Sequence, residues 1–182
     1  MISQIKKFDE FVVREISRIH SKTLNRIMMF FSKIGSGGMV WFALCLPMLM
    51  KKEYRVAGVN IMFSLLVTWF LGELILKHIV ARVRPSEKIP DEEMLVKKPR
   101  FYSFPSGHSA SSFSVVGTAC LLCPVYTTVV FGVIALCIAF SRIYLRVHYL
   151  SDVIAGIVLG FLLGMVSVPV FNMIAIYFGA SL

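Results

Sequence analysis

Long apolar stretches are the feature of this sequence that most restricts its fold. They occur at residues 27–50, 56–80, 107–123, 125–144 and 151–178. Each is close to the roughly 20 residues that a helix needs to cross a bilayer. Because lipid offers no hydrogen-bond partner to an open backbone, such segments cross membranes as helices. The sequence therefore predicts an all-α, polytopic membrane bundle of about five transmembrane helices.

The composition restricts the class of protein in the same direction. Hydrophobic residues make up 57% of the 182 residues and charged residues 16%, against roughly 45–50% and 25% in soluble domains. These values exclude a soluble enzyme, a disordered chain and a disulfide-stapled secreted domain. The net charge of +9 suits an anionic lipid or an anionic substrate. Nucleic acid is not expected as a partner, because the apolar stretches leave no soluble face for it.

Residues 1–23 are predicted to form an amphipathic helix that lies in the membrane interface. Charged side chains interrupt any apolar core that a signal peptide would need. A short soluble helix packed on a neighbouring loop is the alternative. We expect residues 1–182 to form a single membrane domain whose motif-bearing core covers residues 65–164. Apolar residues recur at helical spacing in the first segment: Ile5, Phe8, Phe11, Val12, Ile16 and Ile19.

A stripe of glycines runs along the last apolar stretch. Gly156, Gly160 and Gly164 repeat at every fourth residue, and small residues at this spacing let helices approach closely. Packing within one chain is the simpler interpretation. A homodimer formed through this stripe is the alternative.

Two cations stand near the end of the second apolar stretch. Lys77 and Arg84 are seven residues apart, which on a helix is two turns, so they are predicted to share one face. Pro85 is expected to mark the helix end, and two cations aimed alike suit an oxyanion. Glu73 lies one turn before Lys77 and is interpreted as a structural partner that eases the burial of the ammonium group.

A second cluster, Pro105-Ser106-Gly107-His108, stands at the start of the third apolar stretch. The N-terminus of a helix binds phosphate through its unpaired N–H groups. Ser106 can cap the helix or donate to the anion, and Gly107 lets a ligand approach the backbone. His108 can carry a proton near neutral pH. Three such features in four residues favour an anion site over simple capping.

The third cluster contains Arg142, His148 and Asp152. His148 and Asp152 are four residues apart, so on a helix they can touch. An aspartate bonded to one ring nitrogen fixes the tautomer and leaves the other nitrogen free for nucleophilic attack. Arg142 adds a planar fork for phosphate oxygens. A simple N-terminal helix charge is the alternative role for Asp152.

Together the three clusters resemble the type 2 phosphatidic acid phosphatase (PAP2) family. Its pattern KxxxxxxRP, PSGH and SRxxxxxHxxxD is intact at Lys77–Pro85, Pro105–His108 and Ser141–Asp152. The resemblance implies that His148 attacks phosphorus to form a phosphohistidine and that Asp152 orients it. It also implies that His108 protonates the leaving oxygen.

The same resemblance implies a cationic site without a metal or another cofactor. Lys77, Arg84 and Arg142, together with Ser106 and the Gly107 N–H, would hold the phosphoryl oxygens as charge develops. Asp152 is the single carboxylate within the three motifs. A metal site built on paired carboxylates therefore has too few ligands.

The implied substrate is a membrane lipid that carries a terminal phosphate or diphosphate. The short-loop build is similar to small undecaprenyl-diphosphate phosphatases, which favours that lipid over phosphatidate, phosphatidylglycerol phosphate and lipid A phosphates. The resemblance further implies a bacterial plasma membrane and an extracytoplasmic site, with Lys51, Lys52 and Arg55 at the opposite, cytoplasmic end. A non-catalytic phospholipid-binding or transport protein is the alternative, and its charges would lie near mid-membrane.

Overall fold

The computed structural model describes residues 2–179 and is helical throughout its apolar stretches. No β-strand occurs among these residues. Short 3₁₀ turns interrupt the long polar loop at Pro85–Lys88 and Asp91–Glu93. The helices are α1 (Ile2–Ser17), α2 (Lys22–Gly35), α3 (Met39–Met50), α4 (Lys52–Trp69), α5 (Lys77–Val80), α6 (Gly107–Leu122), α7 (Val125–Tyr144) and α8 (Leu150–Tyr177).

Four of the predicted transmembrane passes are long and apolar enough to cross a membrane. A 3₁₀ turn at Ser36–Gly38 joins α2 to α3, and together they make the first pass, Lys22–Met50. A π-helical segment at Phe70–Leu76 joins α4 to α5 in the second pass, Lys52–Val80. Helices α7 and α8 make two more. The predicted passes therefore begin and end within a few residues of the observed ones.

Helix α6 occupies the position of the remaining predicted pass, but it is short and rich in serine and is not among these four. It has 16 residues, and it packs between α4, α7 and α8. Ser109, Ser112 and Ser114 are fully buried on this helix. Neighbouring helices, rather than lipid, surround these hydroxyls, so α6 does not need the apolar composition of the other passes.

The glycine stripe of α8 lies against α6 within the same chain. A Cβ on Gly160 would lie 2.0 Å from the carbonyl oxygen of Ala110, and one on Gly164 would lie 2.1 Å from that of Ser114. Gly156 is buried in the same contact. The alternative of a homodimer through this stripe is wrong, because the glycines are covered by α6 and unavailable to a second copy.

Helix α1 covers residues 2–17 of the segment predicted to be amphipathic, 1–23, and docks on the end of the bundle. Its inner face packs Val12 and Ile16 against Ile143 of α7 and Val153 of α8. Its outer face leaves three large apolar side chains exposed, as in a helix that lies in a membrane interface: Ile5, Phe8 and Phe11.

The second pass ends at Val80, as its apolar stretch predicted, but its helix does not continue to Pro85 as the spacing of Lys77 and Arg84 suggested. Helix α5 stops at Val80, and Ala81 follows in the left-handed conformation with φ of 47°. Arg84 is extended, with φ of −74° and ψ of 152°, because a residue that precedes a proline disfavours the helical conformation. The prediction that Lys77 and Arg84 share one helix face is therefore wrong.

Candidate active site

One cavity, of approximately 600 Å³, brings the three sequence clusters together at one end of the bundle. Ser106 and Asp152, which were also predicted as site residues, are fully buried next to it. The turn at Ala81 returns the chain over the bundle end, so Arg84 reaches the cavity although it lies outside the helix. Six predicted residues line the cavity: Lys77, Arg84, Gly107, His108, Arg142 and His148.

His148 is held with one ring nitrogen against an arginine. Its Nε2 lies 2.9 Å from Nη1 of Arg84. Arginine donates hydrogen bonds and does not accept them, so Nε2 accepts and carries no proton. In the neutral ring the proton is then on Nδ1, which lies 3.6 Å from Oδ2 of Asp152. This tautomer leaves Nε2 as a nitrogen with a free electron pair, as a nucleophile requires.

Asp152 is the third residue of α8 and faces His148 across the N-terminal turn of that helix. Its Oδ2 accepts the backbone N–H of Tyr149 at 2.9 Å and closes a capping box with that residue. His148 precedes α8, so the prediction that the two residues meet on one helix is wrong; the capping turn brings them together. The distance of 3.6 Å exceeds that of a hydrogen bond but keeps the carboxylate beside the ring.

Four contacts fix the Arg84 guanidinium. Its Nε donates to the carbonyl of Phe101 at 2.5 Å, and its Nη2 donates to that of Tyr102 at 2.9 Å. Its Nη1 donates to the carbonyl of Val147 at 2.8 Å as well as to His148. The end of the polar loop therefore holds this arginine in place, while only 4% of the residue is exposed.

The electrostatics of the cavity keep the His148 ring neutral. Burial lowers the pKa of His148 well below its usual value, and the charges of Arg84, Arg142 and Lys77 lower it further. A neutral imidazole at neutral pH is the form that can attack an electrophile.

His108 faces the cavity from the start of α6 and is held by α2. Its Nε2 lies 3.2 Å from the carbonyl oxygen of Ser32 and 3.3 Å from Oγ of Ser36. Because a carbonyl accepts hydrogen bonds, Nε2 is protonated in this arrangement. Ser106 caps α6, as predicted, and its Oγ accepts the backbone N–H of Ser109 at 3.4 Å.

Arg142 ends α7 with an unsatisfied donor beside the cavity. Its Nη1 donates to Oγ of Ser32. Its buried Nε has no hydrogen-bond partner within the part of the chain that the structure describes. Buried polar groups are nearly always paired, so this guanidinium is suited to an acceptor that enters the cavity.

Lys77 is paired inside the cavity with Glu73. Its Nζ lies 2.6 Å from Oε1 and 2.5 Å from Oε2 of that residue, which confirms the predicted pair. Glu73 belongs to the π-helical segment and lines the cavity itself. The interpretation of Glu73 as a structural partner of Lys77 therefore leaves out its place in the cavity wall.

Several residues at the site were missed from the sequence. Ser32 and Ser36 contact His108. The available signal was the glycine-rich break at residues 35–38, which contains Ser36 and indicates an irregular helix. Asp9 is buried and pairs at 2.7 Å with Arg82, which also pairs with Asp152 at 2.6 Å. The signal for Asp9 was a carboxylate on the apolar stripe of an amphipathic helix.

Three cations and two histidines face this cavity, together with the Glu73 carboxylate. No three His, Cys, Asp or Glu side chains among residues 2–179 converge as a metal site would require. The arrangement can bind the oxygens of an anion through Lys77, Arg84 and Arg142. It can also present the unprotonated Nε2 of His148, with the His108 ring lining the same cavity.

Comparison with known proteins places these features in a family. The sequence model of the PAP2 superfamily matches residues 57–175. The undecaprenyl-diphosphatase of Sulfolobus acidocaldarius is 33% identical over 148 residues, covering 81% of this chain and 71% of that protein. The lipid A 4'-phosphatase of Bacteroides thetaiotaomicron is 27% identical over 173 residues, covering 88% and 75% respectively.

A solved structure agrees with these sequence matches. The transmembrane PAP2-type phosphatidylglycerolphosphate phosphatase of Bacillus subtilis superposes with a TM-score of 0.74 at 26% identity. The superposition covers 93% of this chain and 87% of the Bacillus protein. The resemblance drawn from the three sequence clusters is confirmed.

Proposed function

This chain belongs to the PAP2 superfamily of membrane lipid phosphatases, and we propose that it hydrolyses a lipid phosphate or diphosphate through a phosphohistidine on His148. The observation that carries the proposal is the contact between Nε2 of His148 and the Arg84 guanidinium. It supports an unprotonated, buried nitrogen in a cavity whose cations attract a phosphoryl group.

In the proposed reaction, Nε2 of His148 forms a bond to phosphorus while the bond from phosphorus to the leaving oxygen breaks. His108 acts in its imidazolium form and becomes a neutral imidazole when it gives a proton to that oxygen. The lipid leaves without its terminal phosphate, as a monophosphate when the substrate is a diphosphate. Water, deprotonated by His108, then attacks the phosphohistidine and releases inorganic phosphate. The Asp152 carboxylate offsets the positive charge that the His148 ring carries between the two steps.

The phosphoryl oxygens would be held by Lys77, Arg84 and Arg142. Charge that develops on these oxygens is stabilised by donors already in place. Ser106 joins them, because its Oγ accepts from both the N–H and the hydroxyl of Ser109, which leaves its own proton free to donate. The Gly107 N–H completes the set at the start of α6.

The cavity wall supports an amphiphilic substrate. Away from the cations, the wall consists of apolar side chains of α4: Leu65, Leu66 and Trp69. Leu66 and Trp69 are 58% and 55% exposed, so this wall reaches the lipid-facing surface. A lipid can therefore place its phosphate among the cations while its tail remains in the bilayer.

Among lipid phosphates, we favour undecaprenyl diphosphate. The support is the Sulfolobus relative of that name, which is 33% identical to this chain. The Bacteroides and Bacillus relatives, named for lipid A and phosphatidylglycerol phosphate, make those lipids the alternatives. A non-catalytic lipid-binding or transport protein accounts less well for the unprotonated Nε2 of His148.

We place the cavity on the extracytoplasmic side of a bacterial plasma membrane. Lys51 lies between the first two passes, and Lys52 and Arg55 stand in the first turn of the second. The cavity lies at the other end of these passes, where α6 and α8 begin. Basic residues in short loops are typical of the cytoplasmic side.

The test measures phosphate release by the purified protein in detergent with a chelator present. The panel contains undecaprenyl diphosphate, phosphatidate, phosphatidylglycerol phosphate and lipid A. His148→Ala is compared with His78→Ala, a matched control because His78 is exposed and outside the cavity lining. A rapid quench from labelled substrate, followed by mass spectrometry, looks for an acid-labile phosphate on residue 148.

We expect release that resists the chelator, persists in His78→Ala and disappears in His148→Ala, with label on His148. Full activity in His148→Ala would refute the phosphohistidine. Absence of release from a folded sample on every lipid of the panel would favour binding or transport. The lipid that is hydrolysed fastest identifies the substrate class.

A further inference from the structure

A buried chain of charges links the N-terminal helix to the candidate catalytic carboxylate. The Arg82 guanidinium lies between Asp9 of α1 and Asp152 of α8. Its Nη2 is 2.7 Å from Oδ2 of Asp9, and its Nη1 is 2.6 Å from Oδ1 of Asp152. The Asp9 and Asp152 side chains are only 1% and 0% exposed, so solvent screens these charges weakly.

Two further contacts hold the guanidinium in this position. It stacks over the Tyr149 ring, with its central carbon 4.3 Å from the ring centroid. Its Nη1 also donates to Oγ of Ser151 at 2.7 Å. Asp9 in turn accepts the backbone N–H of Ser151 at 3.0 Å. These contacts join three segments at one point: helix α1, the loop that carries Arg82 and the first turn of α8.

The net charge of Asp9, Arg82 and Asp152 determines the electrostatic field at His148. Arg82 alone would neutralise Asp152, and the pair would offer His148 no net negative charge. The second carboxylate, that of Asp9, leaves the three side chains with one net negative charge. Burial lowers the pKa of Arg82, but the hydrogen bond to Asp9 and the charges of Asp152 and Asp9 outweigh it and raise that pKa. Arg82 therefore remains a cation, and Asp9 is its counterion.

We propose that Asp9 is a positioning residue for catalysis, which acts through Arg82 to orient Asp152 and preserve its negative charge beside His148. This inference rests on the proposed function, in which the His148 ring becomes positively charged on phosphorylation. Asp9 would not contact the substrate, since it lies outside the cavity lining. It assigns the amphipathic helix a part in the chemical step besides its contact with the membrane.

The first experiment compares Asp9→Asn with Glu10→Gln. Both changes remove one carboxylate from adjacent positions of α1, but Glu10 pairs at 2.6 Å with Lys88 at the exposed surface, where ion pairs contribute little. We expect Asp9→Asn to lower kcat roughly 10- to 100-fold, as for residues that orient a catalytic group, with KM unchanged. Glu10→Gln should match the wild-type protein. Phosphate release from undecaprenyl diphosphate and from phosphatidate is the assay.

The second experiment is a double-mutant cycle with Arg82→Gln. If Asp9 acts through Arg82, Asp9→Asn will have little further effect on kcat once Arg82 is removed. Equal losses of kcat in both backgrounds would overturn the proposal. So would an Asp9→Asn protein with wild-type kcat, or one in which KM changes while kcat does not.

A third variant covers the case in which Asp9→Asn does not fold, as judged by thermal unfolding and gel filtration. Arg82→Lys keeps the charge but lacks the fork that engages two carboxylates. We expect it to lose kcat to a similar extent, and a fully active Arg82→Lys protein would overturn the proposal. His148→Ala separates this inference from the proposed function. An active His148→Ala protein refutes the phosphohistidine, whereas an inactive one beside a fully active Asp9→Asn refutes only the role of Asp9.

Discussion

Oε1 of Glu73 lies 2.0 Å from the position that a Cβ on Gly107 would occupy. The carboxylate therefore fills the space beside the first turn of α6, where the absence of a side chain lets an anion approach the backbone. The same carboxylate contacts Nζ of Lys77 with both oxygens. Glu73 thus occupies two of the contacts proposed for a substrate phosphate, and the two anions compete for them.

Replacing Glu73 by Gln should strengthen the binding of inorganic phosphate. The change removes a negative charge from an anion site and frees the ammonium of Lys77, while the size of the side chain is kept. We expect the inhibition constant for phosphate to fall about tenfold, which corresponds to about 1.4 kcal/mol. Inhibition of lipid hydrolysis by phosphate measures it.

Glu53→Gln is the matched control for this change, since Glu53 is exposed at the other end of the second pass. It should leave the inhibition constant unaltered. Weaker inhibition by phosphate in Glu73→Gln would show that Glu73 supports the anion site instead of competing for it.

The pH profile should report the cations around His148. Because burial and the charges of Arg84, Arg142 and Lys77 lower the pKa of His148, the ring stays neutral below the ordinary histidine value of about 6.5. The acid limb of kcat/KM, which reports the free enzyme, is expected below that pH. Arg84→Gln removes one cation, so the pKa of His148 rises and the acid limb moves to higher pH.

Arg100→Gln, an exposed change in the same loop, serves as the control for this pH experiment and should leave the acid limb in place. Asp152 also faces His148, and its charge favours the protonated ring in both variants alike. An acid limb at the same pH in Arg84→Gln and wild-type protein would contradict the assignment of His148 as the titrating base.

Arg142→Lys should reduce kcat/KM roughly 100-fold, the lower end of the effect of removing a donor to a developing oxyanion. Lysine keeps the positive charge but cannot contact Ser32 and a phosphoryl oxygen with one planar group. Arg146→Lys makes the same chemical change four residues later, where the arginine donates to the carbonyl of Glu93. Equal activities of the two variants in the phosphate-release assay would argue against a direct contact of Arg142 with substrate.

Gly160→Ala should destabilise the protein by about 1–3 kcal/mol, as overpacking does. The added Cβ would meet the carbonyl oxygen of Ala110 at 2.0 Å, and the backbone cannot move aside as a flexible side chain can. Gly132→Ala on α7 is the control, because nothing lies within 4 Å of its Cβ position. Thermal unfolding in detergent compares the two, and equal midpoints would contradict the close α6–α8 packing.

The residues that line the cavity could be predicted because local spacing restricts them. Ser106, Gly107 and His108 are neighbours at one helix start, and Arg142 and His148 flank one short turn. Lys77 and Arg84 were grouped correctly for a wrong reason, since Pro85 prevents the helix that would have aligned them. Arg84 reaches the cavity because the chain turns back after Ala81. The left-handed conformation of Ala81 could not be predicted, because alanine rarely adopts it.

Contacts between distant segments could not be read from the sequence in the same way. Asp9 and Arg82 are far apart in the chain, and their partnership depends on where α1 docks. Ser32 contacts both His108 and Arg142. A serine in an apolar helix does not by itself indicate a functional site, so these contacts could not be predicted from its position in the sequence. Hydropathy likewise could not show that α6 is enclosed by other helices.

The enclosure of α6 sets an order for the biosynthesis of the protein. A serine-rich segment of 16 residues is a poor candidate for release from a translocation channel into lipid by itself. Its most extensive neighbour is α8, which leaves the ribosome after it. The packing of α6 against α8 can therefore form only after α8 has been synthesised. Until then His108 on α6 and Asp152 on α8 cannot be brought together, so the candidate site is assembled after α8 emerges from the ribosome.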